Sequence, residues 1–351
     1  MMQVSWRYPD PRAGSATTLM VGFVSSGPES VGAATLLVSG PVSGFRPVRF
    51  PYPWAMSVTP PFGTCLTAVV TPMRADGSLD LAGLQKVIGH LFDSGHDGVV
   101  VNGTTGESAT TTDEEKVEIV RAAVEAVGER GSVVAGVGTN DTAHTRYAAR
   151  AAADAGAHGL LVLTPYYNKP TQPGLVAHFT AVADATDLPV MLYDIPGRTG
   201  TAIALETFLR VAEHPQIVAV KDAKGDFWGA TQVMAATDLA WYSGDDVLTL
   251  GHLAHGAVGF VGVTTHVAGA QYAAMLAAVR SGDLPRAVAI HRRTVPIVNA
   301  IMNTSQGAIM AKAALAELGV IDSAAVRLPL VESPPEHLAL LRVALTSSGI
   351  S

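Results

Sequence analysis

Short apolar segments alternate with longer amphipathic segments between residues 65 and 263. The short segments are nearly continuous runs of Val, Ile, Leu and Ala, a pattern typical of strands that are buried on both faces of a parallel sheet. They cover residues 65–71, 98–101, 133–138, 159–164, 190–194, 217–221, 240–243 and 259–263. The pattern therefore predicts eight strands that alternate with helices.

The segments between the strands have the period and the start signals of helices. In residues 80–94 the apolar side chains recur three or four positions apart, so they share one face. Residues 112–127 begin with a capping threonine and three acidic residues, and residues 141–155 begin with a capping aspartate. Eight such units predict a (β/α)8 TIM barrel, an α/β fold. A doubly wound open sheet is the alternative, but no Gly-x-Gly-x-x-Gly motif follows the first strand.

The two ends of the chain differ from the barrel segment. Residues 1–61 are rich in Pro, Gly and Ser, which favours a disordered extension or a wrongly assigned start, with Met56 as the candidate true start. Beyond residue 263 the strand pattern stops and helical periods replace it. These helices cover residues 268–281, 284–303, 308–318 and 335–347. We therefore expect an extension over 1–61, a barrel that carries the site over 62–283, and a C-terminal helical domain over 284–351.

Charge and cysteine content exclude several classes of partner. The formal net charge is −7 and the basic residues are scattered, so nucleic acid and anionic membrane surfaces are not expected partners. The single cysteine, Cys65, excludes an intramolecular disulfide and fits a reducing cytoplasm. No apolar run reaches the ~18 residues that span a bilayer. No cluster of His, Asp and Glu has the spacing of metal ligands, so we expect a cytoplasmic protein without a bound metal.

A lysine closes the sixth predicted strand. Lys221 follows four apolar residues, 217–220, at the carboxyl end of the strand, where barrels place their active sites. Burial destabilises the charged ammonium and lowers its pKa, which yields a neutral amine that can form a Schiff base with a ketone. The alternative is a lysine that marks the solvated end of a strand.

Polar residues also follow strands two and five. Residues 102–108 read Asn-Gly-Thr-Thr-Gly-Glu-Ser, and the hydroxyls of Thr104 and Thr105 with free N–H groups suit a bound carboxylate. An ordinary turn has the same composition. Strand five supplies Tyr193, a phenol that can relay protons beside an imine-forming lysine. Arg198, in the turn that follows, offers a planar fork to a carboxylate, or else forms a surface salt bridge.

The remaining strand ends add further candidates. The loop after strand four carries Tyr166 and Tyr167 between two prolines, and it either lines the site or contacts another subunit. Strand seven is followed by Gly244, and strand eight contains Val261. Because the carboxyl ends of different strands converge in a barrel, we expect these residues around one pocket.

Three motifs in combination resemble the dihydrodipicolinate synthase family. They are Gly-Thr-Thr-Gly-Glu-Ser at 103–108, Tyr-Asp-Ile-Pro-Gly-Arg-Thr-Gly at 193–200 and Val-Lys-Asp at 220–222. The family belongs to the pyruvate-dependent class I aldolase superfamily, which also includes N-acetylneuraminate lyase. The resemblance runs from about Gly63 to the C-terminus.

The resemblance implies a lyase that condenses pyruvate with L-aspartate 4-semialdehyde, on the diaminopimelate route to lysine, with neither metal nor organic cofactor. Lys221 would form the Schiff base with pyruvate, and Tyr193 would move protons at the imine. Thr105 would connect Tyr193 to Tyr167 in a hydrogen-bonded relay. Tyr167 would come from a neighbouring subunit, so a homotetramer built as a dimer of dimers is expected.

The resemblance also implies the substrate contacts. Thr104 and Thr105 would hold the carboxylate of pyruvate, and Arg198 would bind the carboxylate of the semialdehyde. The backbone carbonyls of Gly244 and Val261 would line the site.

Two alternatives remain, and one family property is expected to differ. An aldolase that cleaves sialic acid or a keto-deoxy sugar acid shares the lysine and the tyrosine, although Arg198 favours an amino-aldehyde with a carboxylate. A non-catalytic barrel that binds pyruvate-like acids is disfavoured, because the nucleophile and the relay are both present. Relatives that respond to lysine carry histidines and a glutamate where this chain has Asp113, Lys116 and His144, so we predict weak or absent lysine inhibition.

Overall fold

The computed structural model describes residues 58–350 and, nearer the N-terminus, the backbone of three strands. β1 (Gln3–Tyr8), β2 (Thr17–Gly22) and β3 (Leu37–Val38) form an antiparallel sheet within a first compact unit, Met1–Ala55. The sequence analysis predicts no strand here, and it missed the period-two alternation of apolar and polar residues within β1. The extension is predicted for residues 1–61, and the rest of residues 1–57 lies outside the described residues.

In the second unit, Met56–Ser351, eight parallel strands close into a barrel in chain order. They are β4 (Cys65–Ala68), β5 (Gly98–Val101), β6 (Ser132–Gly136), β7 (Gly159–Leu163), β8 (Val190–Asp194), β9 (Ile217–Asp222), β10 (Ala240–Ser243) and β11 (Gly259–Gly262). Because β11 pairs with β4, the barrel formed by the described residues 58–350 has no free edge. The predicted TIM barrel and its eight strands are confirmed.

Twelve α-helices lie within residues 58–350. They are α1 (Leu81–Asp93), α2 (Asp113–Val127), α3 (Thr142–Asp154), α4 (Gln172–Ala183), α5 (Pro196–Thr199), α6 (Leu205–Val211), α7 (Phe227–Ala236), α8 (Thr249–Ala254), α9 (Thr265–Arg280), α10 (Leu284–Val298), α11 (Gly307–Glu317) and α12 (Pro335–Ser347). A π-helical segment, Asn299–Asn303, continues α10. The predicted C-terminal helices are therefore confirmed, while the predicted domain boundaries stay predictions.

Side-chain caps begin three of the barrel helices at the predicted residues. Asp80 accepts a hydrogen bond from the backbone N–H of Gly83 at 2.9 Å and begins α1. Thr112 and Glu115 form a capping box that begins α2, and Asp141 accepts hydrogen bonds from the first turn of α3. These caps satisfy backbone N–H groups that a helix leaves free at its N-terminus.

Two apolar layers hold the barrel together. The larger layer lies between the strands and the surrounding helices, and it includes residues of α9 to α12. The smaller layer fills the barrel interior. Its members include Phe62, Leu66, Val100, Val134, Met191, Tyr242 and Val261. The interior is therefore a packed core, and the polar chemistry is left to the carboxyl ends of the strands. No helix among the described residues is long and apolar enough to cross a membrane.

Candidate active site

Lys221 lies near the end of β9, inside the barrel, with only 4% of its surface exposed. Its Nζ is 4.3 Å from the centroid of the Tyr193 ring, and Tyr193 is its neighbour in register on β8. Burial lowers the pKa of Lys221 to about 8. A buried amine on an aromatic face, with a pKa close to neutral, is suited to nucleophilic attack on a carbonyl. The alternative of a solvated strand end is therefore wrong.

Gly244 leaves space for the side chain of Lys221. A Cβ atom at position 244 would lie 2.8 Å from Cγ and 3.0 Å from Cε of Lys221. The N–H of Gly244 also donates a hydrogen bond to the backbone carbonyl of Asp222 at 2.6 Å. Only glycine fits this close approach without moving the lysine. Gly244 therefore lies against Lys221.

Asp246 is a buried carboxylate whose charge acts on Lys221. It accepts hydrogen bonds from the N–H groups of Val263, at 3.0 Å, and Thr264, at 2.9 Å. Burial raises the pKa of Asp246 to about 6, and its negative charge raises the pKa of Lys221, against the effect of desolvation. The sequence analysis gave Asp246 no role, although its position just after Gly244 was a usable signal.

Tyr193, Arg198 and Thr104 line a cleft of about 640 Å³. Burial raises the pKa of Tyr193, so the phenol carries its proton at neutral pH and can donate it. Arg198 is exposed on the short helix α5 and takes part in none of the ion pairs among residues 58–350. The alternative of a surface salt bridge is not observed, so the guanidinium is available to an anionic ligand.

The loop over residues 102–108 begins and ends in left-handed backbone conformations. The φ angle is 55° at Asn102 and 57° at Glu107, in a region that non-glycine residues rarely adopt. The N–H of Glu107 donates to the carbonyl of Thr104 at 3.1 Å, and the hydroxyl of Thr71 donates to the carbonyl of Gly106 at 2.7 Å. These contacts form a tight turn that leaves the Thr104 side chain exposed at the cleft.

The second tyrosine of the loop after β7 points away from its own chain. Tyr167 is 89% exposed and has a φ angle of 73°, whereas Tyr166 lines the cleft. Within residues 58–350, no hydrogen bond joins Tyr167 to Thr105 or Tyr193. One chain alone therefore does not close the predicted relay, which is consistent with a tyrosine that a second subunit receives.

A cluster of charged side chains lines another part of the same cleft. Nε2 of His144 lies 2.9 Å from Asp113, and Nζ of Lys116 lies 3.4 Å from the other oxygen of that carboxylate. The hydrogen bond with His144 holds the pKa of Asp113 below its usual range. Lys116 also donates to the carbonyl of Thr111 at 2.9 Å. Lys116 already places a positive charge in this part of the cleft, and it would repel the ammonium group of a bound lysine. We therefore still predict weak or absent inhibition by lysine.

Comparison with known proteins identifies the family. Residues 61–348 match the model of the Dihydrodipicolinate synthetase family. The chain belongs to this family. The 4-hydroxy-tetrahydrodipicolinate synthases of Kineococcus radiotolerans and Acidothermus cellulolyticus are 59% and 58% identical to it over 291 residues, 83% of this chain and 94% of each relative.

A solved structure of the family has the same fold. The crystal structure of the chloride-inhibited dihydrodipicolinate synthase of Acinetobacter baumannii, complexed with pyruvate, superimposes with a TM-score of 0.79 at 35% identity. The match covers 83% of this chain and 100% of that chain. The resemblance read from the three motifs is therefore confirmed.

The sequence analysis missed some of the residues that line the cleft. Gln306, Pro329 and Leu330, from the C-terminal region, line the same cleft. These residues lie outside the strand ends, so the barrel pattern carries no signal for them. Val261 lies in the inner core, against which Tyr193 packs. No group of three His, Cys, Asp or Glu side chains within residues 58–350 is arranged to hold a metal ion.

Proposed function

We propose that this chain catalyses the 4-hydroxy-tetrahydrodipicolinate synthase reaction, the condensation of pyruvate with L-aspartate 4-semialdehyde. One observation carries the proposal: a buried lysine, Lys221, lies on the ring of Tyr193 and has a pKa lowered to about 8. Family membership and the 4-hydroxy-tetrahydrodipicolinate synthase of Kineococcus radiotolerans, 59% identical over 291 residues, support it.

The reaction follows from the chemistry of a neutral amine. Nζ of Lys221 attacks the keto carbon of pyruvate, and loss of water gives a protonated imine. A proton leaves the methyl carbon to give an enamine, whose carbon attacks the aldehyde while the aldehyde oxygen gains a proton. The amine of the second substrate then displaces Lys221 from the imine, which closes the ring. The protonated imine is the electron sink, so the steps need neither metal nor organic cofactor.

We assign the other residues of the site the roles that the family resemblance implies. Tyr193, whose pKa is raised, donates protons to the reacting groups at the imine and accepts them back. Thr105 connects Tyr193 to Tyr167 by hydrogen bonds. Thr104 and Thr105 hold the carboxylate of pyruvate through the turn at residues 102–108. The unpaired guanidinium of Arg198 binds the carboxylate of the semialdehyde. The carbonyls of Gly244 and Val261 complete the lining.

A turnover assay tests the proposal. Pyruvate and L-aspartate 4-semialdehyde are supplied with a coupling reductase and NADPH, and Lys221→Ala is compared with Lys224→Ala, which removes the next lysine along the chain. We expect turnover in the unmodified protein and in Lys224→Ala, and none in Lys221→Ala. If borohydride and pyruvate label Lys221 but no turnover occurs, the second substrate is another aldehyde, such as a sugar-acid precursor. Failure of labelling would leave the non-catalytic barrel as the interpretation.

We further propose a homotetramer, a dimer of dimers, in which Tyr167 completes the site of a neighbouring subunit. The support is its 89% exposure in a strained conformation. Subunits of Lys221→Ala and Tyr167→Phe, each inactive alone, should regain activity when co-assembled. A randomly mixed two-fold dimer gives about a quarter of the unmodified activity, because half of the dimers are mixed and each has one complete site. No recovery in verified mixed dimers would place Tyr167 in its own site.

We also propose a location and domain limits for the chain. A single buried cysteine fits a reducing cytoplasm.

The proposed parts of the chain are the extension 1–61, the barrel 62–283 and the helical domain 284–351. Limited proteolysis followed by mass spectrometry tests them, because cleavage should concentrate before residue 62.

A further inference from the structure

A buried ion pair connects the C-terminal helices to the loop at residues 102–108. Lys312 on α11 and Glu107 form this pair, and both side chains are inaccessible to solvent. Nζ of Lys312 also donates to the carbonyl of Ala325 at 2.7 Å. The N–H of Arg327 donates to the second carboxylate oxygen of Glu107 at 2.9 Å. None of these groups has a part in the reaction steps described above.

The side chain of Arg327 fixes the residues that follow the loop. Its guanidinium forms two hydrogen bonds to Glu115, at 2.5 and 2.7 Å, and one to the carbonyl of Thr110 at 2.8 Å. It also donates to the carbonyl of Gly77 at 2.9 Å. We call Lys312 and Arg327 the C-terminal clamp. The clamp therefore contacts the chain at both Glu107 and Glu115, on either side of the start of α2.

The clamp acts where the backbone is strained. Glu107 has a φ angle of 57°, and a non-glycine residue keeps such a conformation only where its surroundings over-determine it. The N–H of Glu107 donates to the carbonyl of Thr104, so the conformation at Glu107 sets the turn that contains Thr104 and Thr105. The buried ion pair is the strongest contact that Glu107 makes, since a charged hydrogen bond in a dry interior exceeds a neutral one.

We propose that Glu107, Lys312 and Arg327 are positioning residues that hold Thr104 and Thr105 in the geometry that receives the carboxylate of pyruvate. The inference rests on the proposed function, which assigns that carboxylate to the two threonines. Without the clamp the turn relaxes and pyruvate loses its anchor. Arg198 lies on a different loop, after β8, so binding of the semialdehyde is spared.

The decisive variant is the double substitution Glu107→Gln/Lys312→Met. It removes both charges together, so no unpaired charge is left in the interior, and the amide oxygen can still accept from the N–H of Arg327. We expect a folded protein in which the KM for pyruvate rises about tenfold or more, since small misplacements of a binding group cost this much. The KM for the semialdehyde should change by less than about twofold. Arg342→Ala, which removes an exposed ion pair from the same helical region, is the matched control and should change neither constant.

A second measurement separates this inference from the proposed function. Borohydride trapping of pyruvate on Lys221 needs no semialdehyde, so it reports pyruvate capture alone. Slower trapping in the folded double variant, restored by raising the pyruvate concentration, supports the inference. Unchanged trapping and an unchanged KM in a folded double variant overturn it. Parallel changes in both KM values would mean a general structural role and would also overturn it. If the unmodified protein traps no pyruvate, the proposed function fails first.

Discussion

Two lysines are buried within residues 58–350, and their surroundings are opposite. Lys221, at the mouth of the barrel, lies on an aromatic ring and has no ion-pair partner among residues 58–350. Lys312, on α11, is fully buried as well, but a carboxylate and a backbone carbonyl surround its ammonium. Burial lowers the pKa of each lysine, and at Lys312 the charge of Glu107 opposes that shift.

The difference shows how burial and pairing divide the uses of a lysine. A buried amine without a partner is easily deprotonated, so it becomes a nucleophile at a cost in stability. A buried amine with a carboxylate and a carbonyl keeps its charge and fixes the elements that carry its partners. The unpaired lysine at the barrel mouth therefore lowers stability but gives a reactive amine. The paired lysine of the C-terminal clamp instead fixes the positions of the residues around it. The substitutions below should separate these two roles.

The largest effect is expected from Lys221→Met, which should lower turnover by about 10³-fold or more. The same change should stabilise the fold by up to about 3 kcal/mol at neutral pH, because the pKa of Lys221 is lowered to about 8 and a buried charge is removed. Below that pKa the lysine is protonated in both states, and its burial destabilises the folded one. Turnover and urea unfolding of the same preparation measure both effects. A loss of stability would contradict the unpaired environment.

Lys312→Met should have the reverse sign in unfolding experiments. It leaves the carboxylate of Glu107 buried without its partner, which costs about 3–5 kcal/mol. Lys86→Met is the matched control, because Lys86 pairs with Asp322 at 3.7 Å on the exposed surface and should be nearly neutral. Urea midpoints of both variants check the prediction. Equal midpoints would mean that the buried pair does not stabilise the fold more than an exposed one.

Gly244→Ala tests whether the position of Lys221 at the barrel mouth controls its reactivity. The added methyl would lie 2.8 Å from Cγ of Lys221, so the lysine must shift from its observed position on the Tyr193 ring. We expect imine formation with pyruvate to slow by about 10²-fold, and stability to fall by about 1–3 kcal/mol because the methyl also lies 3.0 Å from the backbone oxygen of Asp222. Gly89→Ala on α1 is the control, since a methyl there meets no atom within 4 Å. Rates of borohydride trapping measure the difference, and equal rates would show that the lysine position is not critical.

The environment of Lys221 was predictable from sequence, and that of Lys312 was not. The apolar run before Lys221 and the periodic pattern of eight strands and helices are local signals, and both predictions were confirmed. Glu107 was seen only as part of a motif, and Lys312 only as part of a predicted helix. They are 205 residues apart, and their pairing depends on how the C-terminal helices pack.

Strain and subunit contacts were equally hidden in the sequence. The left-handed conformation of Glu107 has no residue signature, whereas asparagine, the residue at 102, adopts that region more readily than most residues other than glycine. Two adjacent tyrosines in a loop do not predict that Tyr167 is 89% exposed. The residues alone therefore could not decide whether this loop lines the active site or contacts another subunit. Local patterns identify elements and strand-end chemistry, whereas tertiary packing decides which distant charges meet.

The pH dependence of pyruvate capture should follow Lys221. With its pKa at about 8, the neutral fraction falls about tenfold for each pH unit below that value, and imine formation falls with it. Above pH 8 the rate should level off. Trapping rates between pH 5.5 and 9.5 test this, and Lys224→Ala should give the same profile. An apparent pKa near that of a solvated lysine, 10.5, would mean that desolvation at the barrel mouth is weak.

The smallest effect is expected from Arg342→Ala, which tests whether burial rather than pairing makes the clamp important. Arg342 binds Glu317 on α11 with two hydrogen bonds, at 2.7 and 2.8 Å, a geometry as good as that of Arg327 with Glu115. Its side chain is 59% exposed, so water and salt screen the pair. We expect no measurable change in the urea midpoint at high or low salt. A loss comparable to that of Lys312→Met would show that any contact to α11 stabilises the barrel, and the distinction between the two buried lysines would then rest on reactivity alone.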